Sequence, residues 1–248
     1  MKYIGSKARI AYDILPIMLY GMKAGDTFVD AFCGGCNLLD KVPHIFHRIA
    51  NDKSRFLIAM WKVLTDGDMY KALTNGDLFR FPMRIDKGLF DECRDCALGR
   101  KDKYDDAFVG WVGFMAGRNG RFFDGGYASH DYNGRDYIME QIRNTLRQVQ
   151  KLQGVEFYSG DYFDIPLKER STIYCDIPYF GVKQYLTSRD FDYEKFYAWC
   201  REMKSQGHRI FVSEYQMPDD FECIWEKEIN CSVHKTKTYK RVEKLFTI

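Results

Sequence analysis

Four consecutive residues, Asp176-Ile177-Pro178-Tyr179, combine a carboxylate with an aromatic ring. They close an apolar run, Ile173–Asp176, that reads as a strand. A strand ending in Asp-x-Pro-Tyr directs a carboxylate and a main-chain carbonyl at one point, with the ring beside them. Two acceptors and a ring suit the exocyclic amine of a base flipped out of its stack. An amine held in this way can attack an electrophilic methyl group, because proximity and orientation supply most of the rate.

A second candidate site is a glycine turn near the start of the chain. The run from Thr27 predicts a short buried strand that leads into Asp30-Ala31-Phe32-Cys33-Gly34-Gly35. Asp52 follows 17 residues after Gly35, where an acid at the end of the next strand can accept hydrogen bonds from two ribose hydroxyls. Taken alone, this pattern fits a nicotinamide dinucleotide as well as any other nucleoside cofactor.

Two of the cysteine pairs have the CxxC spacing of metal sites, Cys33 with Cys36 and Cys93 with Cys96. However, 56 residues lie between the pairs, against about 15–20 in a compact zinc module. The first pair also lies inside the glycine turn. We therefore expect no metal site.

The elements that must position these residues alternate between strand and helix, which predicts an α/β sheet. After the glycine turn, Leu38, Leu39 and Val42 suggest a helix, Ile45 to Ala50 a strand, and the apolar spacing from Phe56 to Leu64 a helix. Later, helices are predicted over Ile138–Leu152 and Tyr193–Lys204. Strands are predicted at Val155–Ser159, Ile173–Asp176 and Arg209–Ser213, and two final runs, Ile224–Cys231 and Val242–Ile248, are consistent with an antiparallel hairpin that closes a mostly parallel sheet.

Between these regular regions the pattern is lost. Charges cluster from Arg94 to Asp106, and seven glycines fall between Gly110 and Gly134. We interpret residues 66–135 as an inserted, loop-rich subdomain within a catalytic domain formed by residues 1–65 and 136–248.

Composition narrows the class of protein. The chain has 248 residues, a net charge of only +2 and 40 aromatic residues. The charge argues against a histone-like protein that binds polyanions in bulk, although it allows a local basic face. The N-terminal residues lack the apolar region of a signal peptide, so we expect reduced cysteines and a cytoplasmic location, in a bacterium or an infected host cell.

Taken together, the motifs resemble those of the Dam-type N6-adenine DNA methyltransferases. Cys175–Tyr179 resembles the DPPY motif of that family. Tyr3-Ile4-Gly5-Ser6-Lys7 is similar to its N-terminal aromatic-x-Gly-Gly-Lys segment, Phe28–Gly35 to its FxxPFxG loop, and Asn51-Asp52 to its ribose-binding acid. Two later segments, Phe211–Tyr215 and Arg241–Phe246, are like those of bacteriophage-borne members.

The resemblance implies a Rossmann-like class I fold and an adenine-specific DNA methyltransferase that uses S-adenosyl-L-methionine. It implies a monomer that acts on double-stranded DNA without a metal or a membrane. The catalytic residues would be Asp176, Ile177, Pro178 and Tyr179. The cofactor would be bound by Tyr3, Lys7, Asp30, Phe32, Cys33, Gly34, Gly35, Asp52, Asp161 and Asp176.

Within the insertion, residues 118–127 look like the family's target-recognition hairpin. Its DNA contacts would be Arg118, Asn119, Arg121, Phe122 and Phe123, with the two rings as an apolar wedge for the gap left by a flipped base. An excess of basic residues near the C-terminus could track phosphates or form a solvated edge; these are Lys235, Lys237, Lys240, Arg241 and Lys244, against the single acid Glu243.

Some interpretations remain open at this stage. Ile177 replaces the first proline of DPPY, which keeps the carbonyl but loses the fixed φ angle. Asp52 could instead cap a helix, and Asp161 could cap a turn. The alternative functions are methylation of an amine in RNA or of a glutamine amide, and a non-catalytic DNA-binding protein in which Ile177 has disabled the loop.

Overall fold

The computed structural model describes residues 1–68, 80–128, 134–180, 191–234 and 237–248. In chain order, strands β1 to β7 are Thr27–Asp30, His47–Asp52, Val155–Ser159, Thr172–Asp176, Arg209–Ser213, Glu222–His234 and Lys237–Thr247. They form one sheet in the order β3-β2-β1-β4-β5-β7-β6. The first five strands are parallel, whereas β7 is antiparallel to both β5 and β6. The predicted mostly parallel sheet with a closing hairpin is confirmed.

Six α-helices lie within the described ranges. In chain order, α1 to α6 are Ala11–Leu19, Arg55–Thr65, Lys87–Ala97, Asp106–Ala116, Tyr137–Val149 and Tyr193–Ser205. The sequence predicts α2, α5 and α6, and each begins after a polar N-cap whose side chain accepts a backbone N–H; these caps are Ser54, Asp136 and Asp192. The sequence reading missed α1, which contains Pro16.

Side chains on both faces of the sheet are buried. Phe28 and Val29 are neighbours on β1 and belong to different apolar clusters, because successive side chains of a strand point to opposite faces. Helices α1 to α5 contribute to the cluster around Phe28, and α6 contributes to the one around Val29. Burial on both faces explains why the central strands read as continuous apolar runs.

The helix predicted after the glycine turn is wrong. Leu39–Lys41 form a single 3-10 turn, and Val42 is already extended. Cys36 has a left-handed φ of +53° and Pro43 disfavours the α conformation of Val42, which leaves room for one turn only. Leu38 and Leu39 are nevertheless buried, so the apolar spacing reports their packing and not a helix. The following strand begins at His47, two residues later than predicted.

The segment interpreted as a loop-rich insertion contains two regular helices, α3 and α4, in its described part. A Cβ on Gly110 of α4 would lie 2.1 Å from the carbonyl oxygen of Phe56 at the start of α2. Glycine therefore allows these two helices to approach closely, and α4 is packed into the same apolar cluster as the sheet. The domain boundaries at residues 65 and 136 stay a prediction.

Of the helices in the described ranges, none has the length and apolar character that a membrane crossing requires.

Candidate active site at the carboxyl edge of the sheet

Five acidic residues lie at the carboxyl ends of the five parallel strands. Following the strand order from β3 to β5, they are Asp161, Asp52, Asp30, Asp176 and Glu214. Parallel strands all end at the same edge of a sheet, and ligands of open α/β sheets bind beyond that edge. The sequence reading singled out four of these acids and missed Glu214.

Tyr3 packs directly onto the glycine turn. A Cβ on Gly34 would lie 2.6 Å from Cε1 of Tyr3, and a Cβ on Gly35 would lie 2.6 Å from Cβ of Tyr3. Gly34 also has a φ of +46°, a conformation that side-chain-bearing residues rarely adopt. The two glycines are therefore needed for the tyrosine ring to lie on the backbone of the turn.

Gln148 of α5 fastens the first residues of the chain to the same turn. Its Nε2 donates to the carbonyl of Gly35 over 2.9 Å, and the Met1 amino group donates to its Oε1 over 2.6 Å. The N-terminal segment is thus a fixed part of the site.

Asp52 organises the turn from the neighbouring strand. The backbone N–H of Gly34 donates to Oδ2 over 3.0 Å, and that of Ser54 donates to Oδ1 over 2.8 Å. The cap of α2 is Ser54, whose hydroxyl accepts from the N–H of Leu57. The alternative role of Asp52 as the helix cap is therefore wrong.

Asp30 is a buried acid with an unsatisfied oxygen. Its exposed fraction is 2%, and Oδ1 has no hydrogen-bond partner among the described residues. Burial raises the pKa of this carboxyl well above its usual value, and the negative charge of Asp176 raises it further. A bound cation or amine would relieve both effects, so this position fits a ligand with a positively charged donor.

Asp176 pairs with Lys7 across the site. Lys7 Nζ lies 2.7 Å from Oδ1 of Asp176 and 4.8 Å from the centre of the Tyr179 ring. Burial raises the pKa of the Asp176 carboxyl, and Lys7 opposes that rise. The lysine therefore favours the ionised carboxylate that an amine would need as an acceptor.

The turn after Asp176 is fixed by contacts that substitute for the rigidity of the proline that Ile177 replaces in the DPPY motif. Ile177 is 2% exposed and packs into the apolar cluster around Val29. The hydroxyl of Tyr193 donates to the carbonyl of Pro178 over 2.7 Å. Side-chain packing and a hydrogen bond thus fix a loop that has lost one constrained φ angle.

Glu214 holds the residues on either side of the site together. Its exposed fraction is 0%, and it accepts the backbone N–H groups of Phe180 over 2.9 Å and of Tyr215 over 2.6 Å. Burial raises the pKa of this carboxyl from 4.5 to about 7. A signal was available in the sequence, since Glu214 directly follows the predicted strand Arg209–Ser213.

Three further predicted cofactor residues are Asp161, Phe32 and Cys33. Asp161 accepts the N–H of Tyr162 as the cap of a 3-10 turn, and Lys53 lies 3.3 Å away. The ring of Phe32 contacts that of Tyr162 at a centroid distance of 5.5 Å, within the aromatic cluster beside α6. Cys33 is buried, and burial raises the pKa of its thiol. The structure favours the turn-cap interpretation of Asp161.

The segment predicted as a recognition hairpin is closed by a bridge between Gly117 and Tyr127, and its role in recognition stays a prediction. Arg118, Asn119 and Arg121 are exposed on it. A Cβ on Gly120 would lie 2.3 Å from the carbonyl oxygen of Lys2, so the hairpin packs against the segment that carries Tyr3 and Lys7. The exposed residues are therefore close to the site in space.

The two aromatic residues of the hairpin point inward. Phe122 stacks on Phe56 at 5.2 Å, and Phe123 is 8% exposed and contacts Phe90 at 4.9 Å. Rings packed in this way belong to the core. This packing argues against the wedge predicted from the sequence, and a contact of either ring with DNA stays a prediction.

The basic C-terminal residues are partly neutralised where they are described. Lys240 lies 2.7 Å from Glu228, and Lys244 lies 4.0 Å from Glu226. Lys235 lies outside the described residues. Glu243, counted above as a single opposing charge, is 9% exposed and accepts a hydrogen bond from the Tyr179 hydroxyl over 2.8 Å.

Among the described residues there is no group of three or more histidine, cysteine or acidic side chains arranged to hold a metal ion. Both CxxC pairs are buried as free thiols, one in the glycine turn and one on α3.

Comparison with known proteins finds a family model that matches the first part of the chain. Residues 3–106 match the model of the D12 class N6 adenine-specific DNA methyltransferases. These residues include the N-terminal segment, the glycine turn and Asp52. Over these residues the family resemblance stated from the sequence is confirmed; the likeness to bacteriophage-borne members stays a prediction. No curated protein is significantly similar to the chain.

Solved structures also match, among them a crystal structure of SMU.472, described as a methyltransferase, complexed with SAH. It is 15% identical, the alignment covers 98% of this chain and 52% of that one, and the TM-score is 0.39. This chain thus spans about half the length of that protein.

Proposed function

We propose that this chain transfers a methyl group from S-adenosyl-L-methionine to N6 of an adenine in double-stranded DNA, and the match of residues 3–106 to the model of the D12 class N6 adenine-specific DNA methyltransferases supports this. The observation that carries the proposal is the position of Asp176. Its carboxylate ends β4 beside the ring of Tyr179, at the edge that also holds the glycine turn and the unsatisfied Asp30.

The residues at this edge fit the cofactor. S-adenosyl-L-methionine supplies, when bound, a methyl group on a positively charged sulfur. Asp30 offers a buried oxygen without a partner, which suits the ammonium group of the methionine part. Asp52 borders the glycine turn and would accept the ribose hydroxyls. Burial raises the pKa of the Asp30, Asp52 and Asp176 carboxyls. A cationic ligand would therefore stabilise the ionised form of each carboxyl.

Asp176 and the main-chain carbonyl of Ile177 would take the two N–H groups of the adenine amine. Tyr179 would stack on the flipped base. Lys7 favours the ionised form of the Asp176 carboxylate, which a proton-accepting role requires. Hydrogen bonds from the Tyr193 hydroxyl and to the Glu214 carboxylate fix the turn after Asp176. The carbonyl of residue 177 would therefore be held in place even without proline.

Double-stranded DNA would lie over the hairpin as well as the edge of the sheet. Arg118 and Arg121 are exposed there, and Gly120 packs on the segment that carries Tyr3 and Lys7. Arginines at such a position can contact phosphates or guanine edges. The exposed hairpin residues would thus guide the duplex toward Asp176.

The test is transfer of tritium from labelled S-adenosyl-L-methionine to unmethylated DNA. Asp176→Asn replaces an acceptor by a donor and should lower the rate about 100-fold or more. Asp164→Asn, which removes the same charge from an exposed position near the site, is the matched control and should transfer normally. Equal transfer by the wild type and Asp176→Asn would contradict the catalytic assignment.

Two further arms identify the substrate. Competition with unlabelled RNA should leave transfer to duplex DNA unchanged, whereas strong inhibition would point to RNA. Single-molecule sequencing of DNA from cells that express the chain should reveal N6-methyladenine in one sequence motif. Tight DNA binding without any transfer would identify a non-catalytic relative.

A further inference from the structure

The hydroxyl of Tyr179 donates a hydrogen bond to Oε2 of Glu243 over 2.8 Å. Glu243 lies on β7, which pairs antiparallel with β5 so that Leu245 is opposite Ser213. Two residues further, Glu243 comes level with Tyr215, just beyond the end of β5. The closing hairpin therefore delivers a carboxylate to the carboxyl edge of the parallel sheet, although β7 itself runs in the opposite direction.

Three contacts fix the ring of Tyr179. Besides the bond to Glu243, the ring of Tyr215 meets it edge-on at 4.5 Å and 82°, and Lys7 Nζ lies 4.8 Å from its centre. Glu243 is 9% exposed. Lys227, which lies opposite Glu243 on β6, forms a salt bridge with Asp13 at 2.9 Å. The carboxylate of Glu243 thus accepts its hydrogen bond from the hydroxyl of Tyr179.

We infer that Glu243 is a positioning residue that sets the rate of methyl transfer by orienting and polarising the Tyr179 ring. The inference rests on the proposed function. When the adenine nitrogen attacks, its lone pair forms the new N–C bond while the methyl–sulfur bond of the cofactor breaks and leaves its electron pair on sulfur. Positive charge develops on the base until one N6 proton passes to the Asp176 carboxylate. An aromatic face attracts positive charge, and a carboxylate bonded to the phenol increases the electron density of that face. The interaction is therefore stronger in the transition state than with the neutral base, which is the condition for raising kcat.

A double-mutant cycle tests this relation. Glu243→Gln keeps an oxygen that can accept from the phenol but removes the negative charge, and Tyr179→Phe removes the hydroxyl. Glu243→Gln should lower the single-turnover rate about tenfold with KM for DNA unchanged, because a charged acceptor makes roughly twice as strong a hydrogen bond as a neutral one. In the Tyr179→Phe background the same substitution should change the rate less than twofold. Glu228→Gln, which removes a charge from the same hairpin at an exposed position paired with Lys240, is the control and should have no effect.

A second arm needs no turnover. In protein labelled with 13C at the ζ carbon of tyrosine, the Tyr179 resonance is assigned by its loss in Tyr179→Phe. It should move in Glu243→Gln and stay in place in Glu228→Gln. An unmoved resonance, or an equal rate loss in both backgrounds of the cycle, would overturn the inference. A wild-type chain that transfers no methyl group but whose Tyr179 resonance depends on Glu243 would overturn the proposed function and leave the placement of the ring intact.

Discussion

The ammonium nitrogen of Lys7 lies 2.7 Å from Oδ1 of Asp176, with exposed fractions of only 9% and 21% for the two side chains. Burial alone raises the pKa of the Asp176 carboxyl, and the lysine charge counteracts that rise. A residue at the start of the chain thereby favours the ionised form of the proposed amine acceptor at the carboxyl end of β4.

Lys7→Gln should shift the acid limb of the pH–rate profile to higher pH. Without the lysine charge the pKa of Asp176 rises further, so the ionised acceptor forms only at higher pH; a neighbouring opposite charge changes a carboxyl pKa by about 1–3 units. The measurement is kcat against pH at saturating cofactor and DNA. Lys7→Arg keeps the charge and should keep the wild-type limb. An unchanged limb in Lys7→Gln would show that Lys7 does not control Asp176.

Gly34→Ala should destabilise the protein more than the positive φ of this residue alone predicts. The new methyl group would lie 2.6 Å from Cε1 of Tyr3. Gly21→Ala is the matched control, because Gly21 also has a positive φ, +79°, but a Cβ there meets nothing within 4 Å. We expect Gly21→Ala to lose about 1–2 kcal/mol of unfolding free energy with normal cofactor binding. Gly34→Ala should lose more and bind cofactor at least about tenfold more weakly, as measured by denaturation and calorimetry. Similar cofactor affinity in the two variants would show that the contact between Tyr3 and the glycine turn is not needed for cofactor binding.

Phe123→Ala and Arg118→Gln should separate packing from DNA contact on the hairpin. Phe123 is 8% exposed against Phe90, so its truncation should cost about 3–5 kcal/mol of unfolding free energy. Arg118 is exposed, so Arg118→Gln should leave stability unchanged. It should weaken DNA binding. The slope of the logarithm of the DNA-binding constant against the logarithm of the salt concentration should become shallower by the amount expected for about one phosphate contact. Normal DNA affinity and slope in Arg118→Gln would place the duplex elsewhere.

Glu214→Gln should change how stability depends on pH. Burial raises the pKa of this carboxyl to about 7 in the folded protein, above the 4.5 of the unfolded chain. The folded state therefore binds more protons between these values, and the wild type loses stability as pH rises from about 4.5 through 7, by roughly 3 kcal/mol at most. The glutamine variant does not titrate but loses one acceptor for the N–H groups of Phe180 and Tyr215. It should be less stable than the wild type near pH 5, and the difference should shrink toward pH 8 in urea unfolding. A difference independent of pH would show that Glu214 has an ordinary pKa.

Local pattern was sufficient for much of the fold. β3 and β5 lie where predicted, and β4 begins one residue early, because strands buried on both faces leave unbroken apolar runs. The helix predicted after Cys36 failed because apolar spacing does not distinguish a helix from a tightly packed loop, and the left-handed φ of Cys36 decided the matter.

The candidate site divides in the same way. Asp30, Asp52 and Asp176 could be chosen from the sequence, since each ends or directly follows a recognisable strand, and parallel strands end at one edge. The inward packing of Phe122 and Phe123 could not, because residue type alone does not tell an exposed aromatic wedge from a core ring.

By itself, then, the sequence determined the sheet, the acids at its edge and the family resemblance, all of which depend on residues close together in the chain. Only the tertiary structure decided which partners these acids have. Lys7 with Asp176, Gln148 with the glycine turn, and Glu243 with Tyr179 are pairs that lie far apart in the sequence. The physical reason is that crossovers and an antiparallel hairpin bring distant segments to one edge, where burial makes each charge depend on its neighbours.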